Sequence, residues 1–390
     1  MTEGGISVGN ILDYLDWRGD IPLGAVPFNE VDNLILSELS YLDFNRVVPT
    51  PEQGGYITVE EAARAVFERY PLGEKIDMGM IVPDRVPDML KKMQRAERFR
   101  HMLLSCYVDH VDTDRAEQFS ALTVDTGDGH IYCAYRGTDD TLAGWKEDLE
   151  MTCRAQIPAQ KMALDYLRQT AGKHPRRRIR MGGHSKGGNL AVYAGVFSPL
   201  SLQRRITAVW SNDGPGFHND ILALPEHERL QERIFTIVPR SSIVGMLLEH
   251  EEHYTVVDSD SLGLWQHDGF SWQVMGGRFI RIEGTSEQSR KGSQAVRAWV
   301  HSMTTRERQN FVDALFKVMS ASGAETLTDL KEENIRAVVP MLKAMKGLDR
   351  ETREGVLDFV QLLMKTNARL VLEDIQDEAE KRGLGRRVTR

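Results

Sequence analysis

The stretch that most constrains this chain is Gly183-His-Ser-Lys-Gly187. It follows a β-forming run, Ile179 to Gly182, and precedes Gly188-Asn-Leu-Ala-Val-Tyr-Ala-Gly195, a helical segment rich in small residues. Strand, G-x-S-x-G turn and helix in that order describe a nucleophile elbow with Ser185 at its tip. The sharp turn lifts the serine Oγ out of the sheet in a conformation that large neighbours would obstruct, and Gly183 and Gly187 leave that room. The next backbone N–H, that of Lys186, then points to where a tetrahedral oxyanion would form, helped by the positive end of the helix dipole. The same pentapeptide can be a plain tight turn, but its flanking strand and helix favour the nucleophile. His184 adjoins the serine in sequence, yet neighbouring side chains on such an elbow diverge, so it is read as packing and not as the base.

Around this turn the pattern alternates between strands and helices. Glu117 to Thr126 and His130 to Tyr135 read as a hairpin closed by Gly127-Asp-Gly129, and Gln156 to Thr170 carries an apolar face at helical spacing. Further strands are expected at Ile206 to Trp210, Ile234 to Val238 and Tyr254 to Val257. Such alternation implies an α/β fold, a mostly parallel sheet flanked by helices, and the elbow makes it the α/β-hydrolase type. Residues 1 to 95 read as a mainly helical N-terminal segment packed on this core. Val31 to Leu42 has a helical apolar face, Thr58-Val-Glu-Glu61 is a capping box, and Pro71 to Pro87 is a loop. The core spans 96 to 288, and 289 to 390 is a helical C-terminal extension with a capping box at Thr304-Thr-Arg-Glu307. Its last basic stretch, Lys381 to Arg390, is expected to fray.

Composition narrows the function classes. The net charge is −8, which disfavours a nucleic-acid partner. The basic run Lys173 to Arg180 reads as the solvated entry to a strand. No run approaches the ~18 apolar residues that cross a bilayer, so no integral membrane segment is expected. The first residues show no basic head followed by an apolar segment, and the three cysteines, Cys106, Cys133 and Cys153, suit neither a disulfide framework nor a tetrahedral metal site. A cytoplasmic enzyme without metal or organic cofactor is the expectation; the oligomeric state is open.

A general base should follow the serine, from a loop after the last strands. His267, in Trp265-Gln-His-Asp-Gly269, fits that place. His218, His227, His250 and His253 compete, but they lie earlier or in charged segments. Glu249-His-Glu-Glu-His253 imitates a metal motif without its helical register and reads as a solvated charged face.

Tyr135-Arg-Gly-Thr138, Gly144-Trp-Lys-Glu-Asp-Leu149 and Gly183-His-Ser-Lys-Gly-Gly-Asn-Leu-Ala191 resemble the corresponding blocks of class 3, fungal-type lipases. Gln118-Phe-Ser-Ala-Leu122, Ser211-Asn-Asp-Gly-Pro-Gly-Phe217 and Gln266-His-Asp268 more closely resemble the bacterial Mbeg1-like family, up to about residue 285. The lipase resemblance implies a second oxyanion donor in the backbone N–H of Thr138, with its hydroxyl as a further candidate. Arg136, Trp145 and Asp148 read instead as a structural cluster holding that loop. The resemblance also implies a catalytic acid after the strand Ile234 to Val238, where this chain has Pro239-Arg-Ser-Ser-Ile-Val244 and a serine, Ser242, takes the place of aspartate. Asp213 is the substitute, because Ser211-Asn-Asp-Gly-Pro-Gly216 follows the strand Ile206 to Trp210 and reaches the same rim as Ser185. A turn aspartate there, Asp258 or Asp260 as the acid, and a Ser–His dyad remain alternatives.

The expected activity is hydrolysis of small-molecule or lipid acyl esters through an acyl-serine. An acyltransferase or thioesterase would use the same site, and a non-catalytic interaction module on this scaffold is the reading of a different class.

Overall fold

The computed structural model describes residues 8–70, 75–79, 82–113, 115, 117–154, 156–246, 254–326, 329 and 334–388. Eight strands form one sheet in chain order: β1 (Ile57–Thr58), β2 (Leu103–Asp112), β3 (Glu117–Asp125), β4 (His130–Tyr135), β5 (Arg178–His184), β6 (Ile206–Asn212), β7 (Ile234–Pro239) and β8 (Tyr254–Val257). Strands β1 to β4 pair antiparallel, and β4 to β8 pair parallel. The parallel half requires crossovers. Helices α5 (Leu142–Glu150) and α6 (Pro158–Lys173) link β4 to β5, and α7 (Lys186–Val196) with the one-turn α8 (Leu200–Gln203) links β5 to β6. Two short helices, α9 (Asn219–Leu222) and α10 (Pro225–Glu228), precede β7. This is the expected α/β-hydrolase architecture.

The β4 sequence shows how both faces are covered. Ile131, Cys133 and Tyr135 join a core with residues of α6 and α7, while Tyr132 and Ala134 join the opposite core with the N-terminal helices. Those helices are α1 (Ile11–Arg18), α2 (Glu30–Leu39), α3 (Val59–Phe67) and α4 (Val86–Met93). Thr58 and Glu61 form the expected capping box of α3. At α2 the capping residue Asp32 also makes a buried bidentate pair with Arg98, at 2.7 Å to Nε and 2.5 Å to one terminal nitrogen, and accepts the Tyr14 hydroxyl at 2.9 Å. These bonds tie α1, α2 and the approach to β2 together.

Strand β2 falls in a stretch for which the sequence suggested no strand. Its register shifts between Ser105 and Val108, and Cys106 has φ +54°, so a bulge breaks the alternation that marks a strand. The hairpin, the helix expected over Gln156 to Thr170, which is α6, and the four later strands lie where expected to within a few residues, whereas α5 falls where the sequence suggested no helix. The described part of the Pro71 to Pro87 segment is irregular until α4 begins at Val86; Pro71 and Gly73 lie outside the described residues.

The C-terminal part folds as α11 (Glu287–His301), α12 (Thr305–Ser320), α13 (Asn334–Lys346) and α14 (Arg350–Val388). Phe311, Val312, Phe316, Val356 and Phe359 pack with Leu142 of α5, so this extension is seated on the crossover beside the elbow. Helix α14 runs to Val388, so the basic stretch expected to fray is helical from Lys381 to Val388, and Thr389 and Arg390 lie outside the described residues. Of the described helices, none is long and apolar enough to cross a membrane.

Candidate active site

Strand β5 ends at His184 and α7 begins at Lys186, which leaves Ser185 alone on the turn with φ +56° and ψ −133°. For a residue with a Cβ this backbone conformation costs on the order of 1–3 kcal/mol, and the surrounding contacts must hold it. The Ser185 N–H donates to the Asn212 carbonyl at 2.9 Å, and the Asn212 side chain donates to the Gly183 carbonyl at 3.0 Å. Gly187 is required by close approach: a Cβ there would collide with the Tyr135 carbonyl oxygen. Ser185 itself is partly exposed.

The turn after β4 lies against this elbow. A Cβ added at Gly137 would sit 2.6 Å from the His184 carbonyl oxygen and 3.2 Å from the Ser185 Cβ, so only glycine brings Arg136-Gly-Thr138 this close. The Thr138 hydroxyl donates to Asp148, which commits its proton. That corrects the expectation for the hydroxyl and leaves the Thr138 backbone N–H as the donor this turn can offer. Burial raises the Asp148 carboxyl to about 6, opposed by the nearby Lys186 charge. Arg136 pairs with Asp109 at 2.8 Å and Asp139 at 3.1 Å, in line with a structural role.

Lys186 opens α7, so its backbone N–H has no earlier helical carbonyl to bond. Its side chain turns inward. The ammonium donates to Glu147 at 2.9 Å and to the Gln118 side chain at 2.6 Å, and both ends of the Lys186–Glu147 pair are fully buried. Glu147 in turn accepts the Ala159 N–H at 2.9 Å and the Gln118 N–H at 3.3 Å. The pair therefore locks the start of α7 to α5, α6 and β3. This cluster escaped the sequence analysis, although Gln118 and Glu147 stand within the blocks that carried the family resemblance.

Asp213 follows β6 with φ +50°, and its N–H donates to the Ile237 carbonyl at 2.7 Å. Aspartate tolerates this left-handed conformation better than most residues. One of its carboxylate oxygens meets His267 Nδ1 at 2.6 Å, and the other accepts the Ser242 hydroxyl at 2.5 Å and the Gly245 N–H at 3.2 Å. The carboxylate at the His267 Nδ1 is thus Asp213 and not Asp258 or Asp260, and Ser242 supports it. A carboxylate accepting from Nδ1–H fixes the imidazole tautomer and leaves the lone pair on Nε2. His267 ends a short 3-10 turn, Gly263–His267, and its side chain is 26% exposed, whereas that of Asp213 is 1% exposed.

His184 lies beneath this turn. Its Nε2 contacts the His267 carbonyl oxygen at 2.7 Å and its Nδ1 contacts the Tyr41 hydroxyl at 3.1 Å. Burial, with a smaller contribution from the neighbouring His267, lowers its pKa from 6.5 to about 3, so the ring is neutral. A carbonyl only accepts, so Nε2 carries the proton and Nδ1 accepts from Tyr41. Both nitrogens are engaged, which fits packing and not the base. The sequence held no pointer to Tyr41. Among the competing histidines, His218 contacts the Met151 carbonyl at 3.0 Å and His227 is fully buried. The Glu249 to His253 cluster lies outside the described residues. Among the described residues no three His, Cys, Asp or Glu side chains gather as a metal site.

The family model described as Mbeg1-like matches residues 93–317. No curated protein matches the chain. Similar solved structures include the Lip2 lipase from Yarrowia lipolytica, with 12% identity over 62% of this chain and 90% of that one and a TM-score of 0.34. A fungal lipase–inhibitor complex has 12% identity over 73% and 95% of the two chains and a TM-score of 0.32. A Rhizomucor miehei lipase propeptide complex has 14% identity, covers 40% of this chain and has a TM-score of 0.29. Only 57% of that lipase chain is spanned, less than two thirds of its length.

Proposed function

This chain belongs to the Mbeg1-like family, and from the geometry of its elbow we propose that it is a serine hydrolase cleaving carboxylic acyl esters through an acyl-serine intermediate. The observation that carries this reading is the 2.6 Å contact between Asp213 and His267 Nδ1 at the rim where Ser185 is held on a strained turn.

In the first step His267 Nε2 takes the Ser185 hydroxyl proton as Oγ bonds to the ester carbonyl carbon. The carbonyl π electrons move onto oxygen, and the backbone N–H groups of Thr138 and Lys186 stabilise the resulting oxyanion. Collapse breaks the bond to the leaving alkoxide, which receives the proton from His267 and departs as the alcohol. Water then attacks the acyl-serine, losing a proton to His267; a second collapse releases the acid and returns the proton to Ser185 Oγ. Asp213 keeps the imidazole in the required tautomer and stabilises its charged form. Apart from water, each step draws on this chain's own groups, and the substrate is a small-molecule or lipid acyl ester.

The test is hydrolysis of p-nitrophenyl esters of increasing chain length by the full-length protein beside Ser185→Ala, His267→Ala and Asp213→Asn. Turnover abolished by the first two and reduced by the third supports the reading. Turnover that survives Ser185→Ala, or its absence across the series in folded protein, counts against it.

A further inference from the structure

The turn that carries His267 is held by the C-terminal helix. Asp374, on α14 and 5% exposed, accepts the Gly263 N–H at 2.7 Å and the Gln266 side-chain amide at 3.1 Å. Its carboxylate also accepts the Ser241 hydroxyl at 2.9 Å. Two turns earlier on the same face, Asn367 accepts the Leu264 N–H at 3.1 Å. Residues 367 and 374 are two turns apart on one face of α14, and between them they satisfy the first two N–H groups of the 3-10 turn that ends at His267. Gly263 has φ +57°, and a Cβ there would lie 2.7 Å from the Asn367 side-chain oxygen, so the turn is pressed onto the helix.

The same carboxylate reaches the loop that supports the acid. Ser241 bonds to Asp374 through its hydroxyl and to the Gln266 side chain through its N–H at 2.9 Å, and its neighbour Ser242 donates to Asp213. Ser289 of α11 donates to the Ser242 carbonyl at 2.5 Å and fixes that loop from another side. Asp374 thus joins the segment under Asp213 to the segment carrying His267.

We propose that Asp374 is a positioning residue that sets the alignment of the Asp213–His267 pair, which makes the C-terminal helix a working part of the active site. The assignment rests on the hydrolase reading for its kinetic consequence but not for its structural one. A carboxylate is suited to the place because it has acceptor sites for three converging donors at once, whereas an amide offers a single acceptor oxygen. A displacement of about 1 Å at a catalytic group costs on the order of 100-fold in rate.

The test uses full-length Asp374→Ala and Asp374→Asn. Three readouts are taken: kcat and KM on a p-nitrophenyl ester, thermal unfolding, and the His267 Nδ1–H signal in protein labelled with 15N-histidine. The expected result is a kcat lowered on the order of 10–100-fold with KM within about twofold. The Nδ1–H signal should shift or vanish in Asp374→Ala and be intermediate in Asp374→Asn. Wild-type kcat with an unmoved signal, or a change in KM alone, would overturn the proposal. Should Asp374→Ala fail to fold, Asp374→Asn carries the same comparison. Should the wild type prove inert to esters, the hydrolase reading fails while the NMR comparison still decides the positioning role.

Discussion

Ser185 and His184 are adjacent in sequence and opposite in circumstance. Ser185 bears the strain of a positive φ, which an alanine would retain and a glycine would relieve. Ser185→Gly should therefore be more stable than Ser185→Ala by about 1 kcal/mol in chemical denaturation, although both are expected to be inactive. Equal stabilities would mean that the turn is not strained. His184 is buried and neutral, with its pKa lowered from 6.5 to about 3. In the unfolded chain it binds a proton below about 6.5 while the folded chain resists until about 3. The folded state accordingly loses stability as pH falls through that window, with a slope of up to about 1.4 kcal/mol per pH unit. His184→Gln should flatten the loss between pH 6.5 and 4.5, measured as unfolding free energy against pH; an unchanged slope would assign the acid sensitivity elsewhere.

At the scale of elements, the start of α7 is fastened by the Lys186–Glu147 pair. Removing one partner leaves the other buried and uncompensated, at a cost of about 3–5 kcal/mol. Lys186→Ala should thus lower the melting temperature markedly, and Lys186→Met with Glu147→Leu should recover only part of it, since Glu147 also accepts the Ala159 and Gln118 N–H groups. If the double variant is no better than the single one, the pair's electrostatics are not what holds the helix. The turn after β4 allows a second check. Gly137→Ala places a methyl group against the His184 carbonyl, so activity should fall more than tenfold while Gly24→Ala, whose added Cβ meets nothing within 4 Å, leaves it intact. The elbow and its strand and helix were legible because several residues must cooperate in sequence to make such a turn. Strand β2 was not, because its bulge destroys the period-2 signal on which strand reading depends.

Across the whole molecule, the residues that approach the elbow come from segments far apart in the chain. Tyr41 arrives from just past α2, Thr138 from the turn after β4, Asp213 from the end of β6 and His267 from beyond β8, while Asp374 braces the last of these from α14. Sequence order singled out His267 as the candidate base and offered Asp213 as a substitute acid beside Asp258, Asp260 and a dyad, since strand ends of a parallel sheet share one rim. It could not reveal Tyr41, the inward turn of the Lys186 side chain, or the bond between Ser242 and Asp213, because each depends on a long-range contact with no local periodicity. The chemistry proposed for these pieces turns on Ser185 as a nucleophile activated through His267. Labelling of the full-length protein by a serine-reactive fluorophosphonate, with the modified peptide located by mass spectrometry, tests it most directly. One adduct per chain on Ser185, greatly slowed in His267→Ala, is the expected result; a folded wild type that takes no label, or takes it on another residue, would rule out this nucleophile.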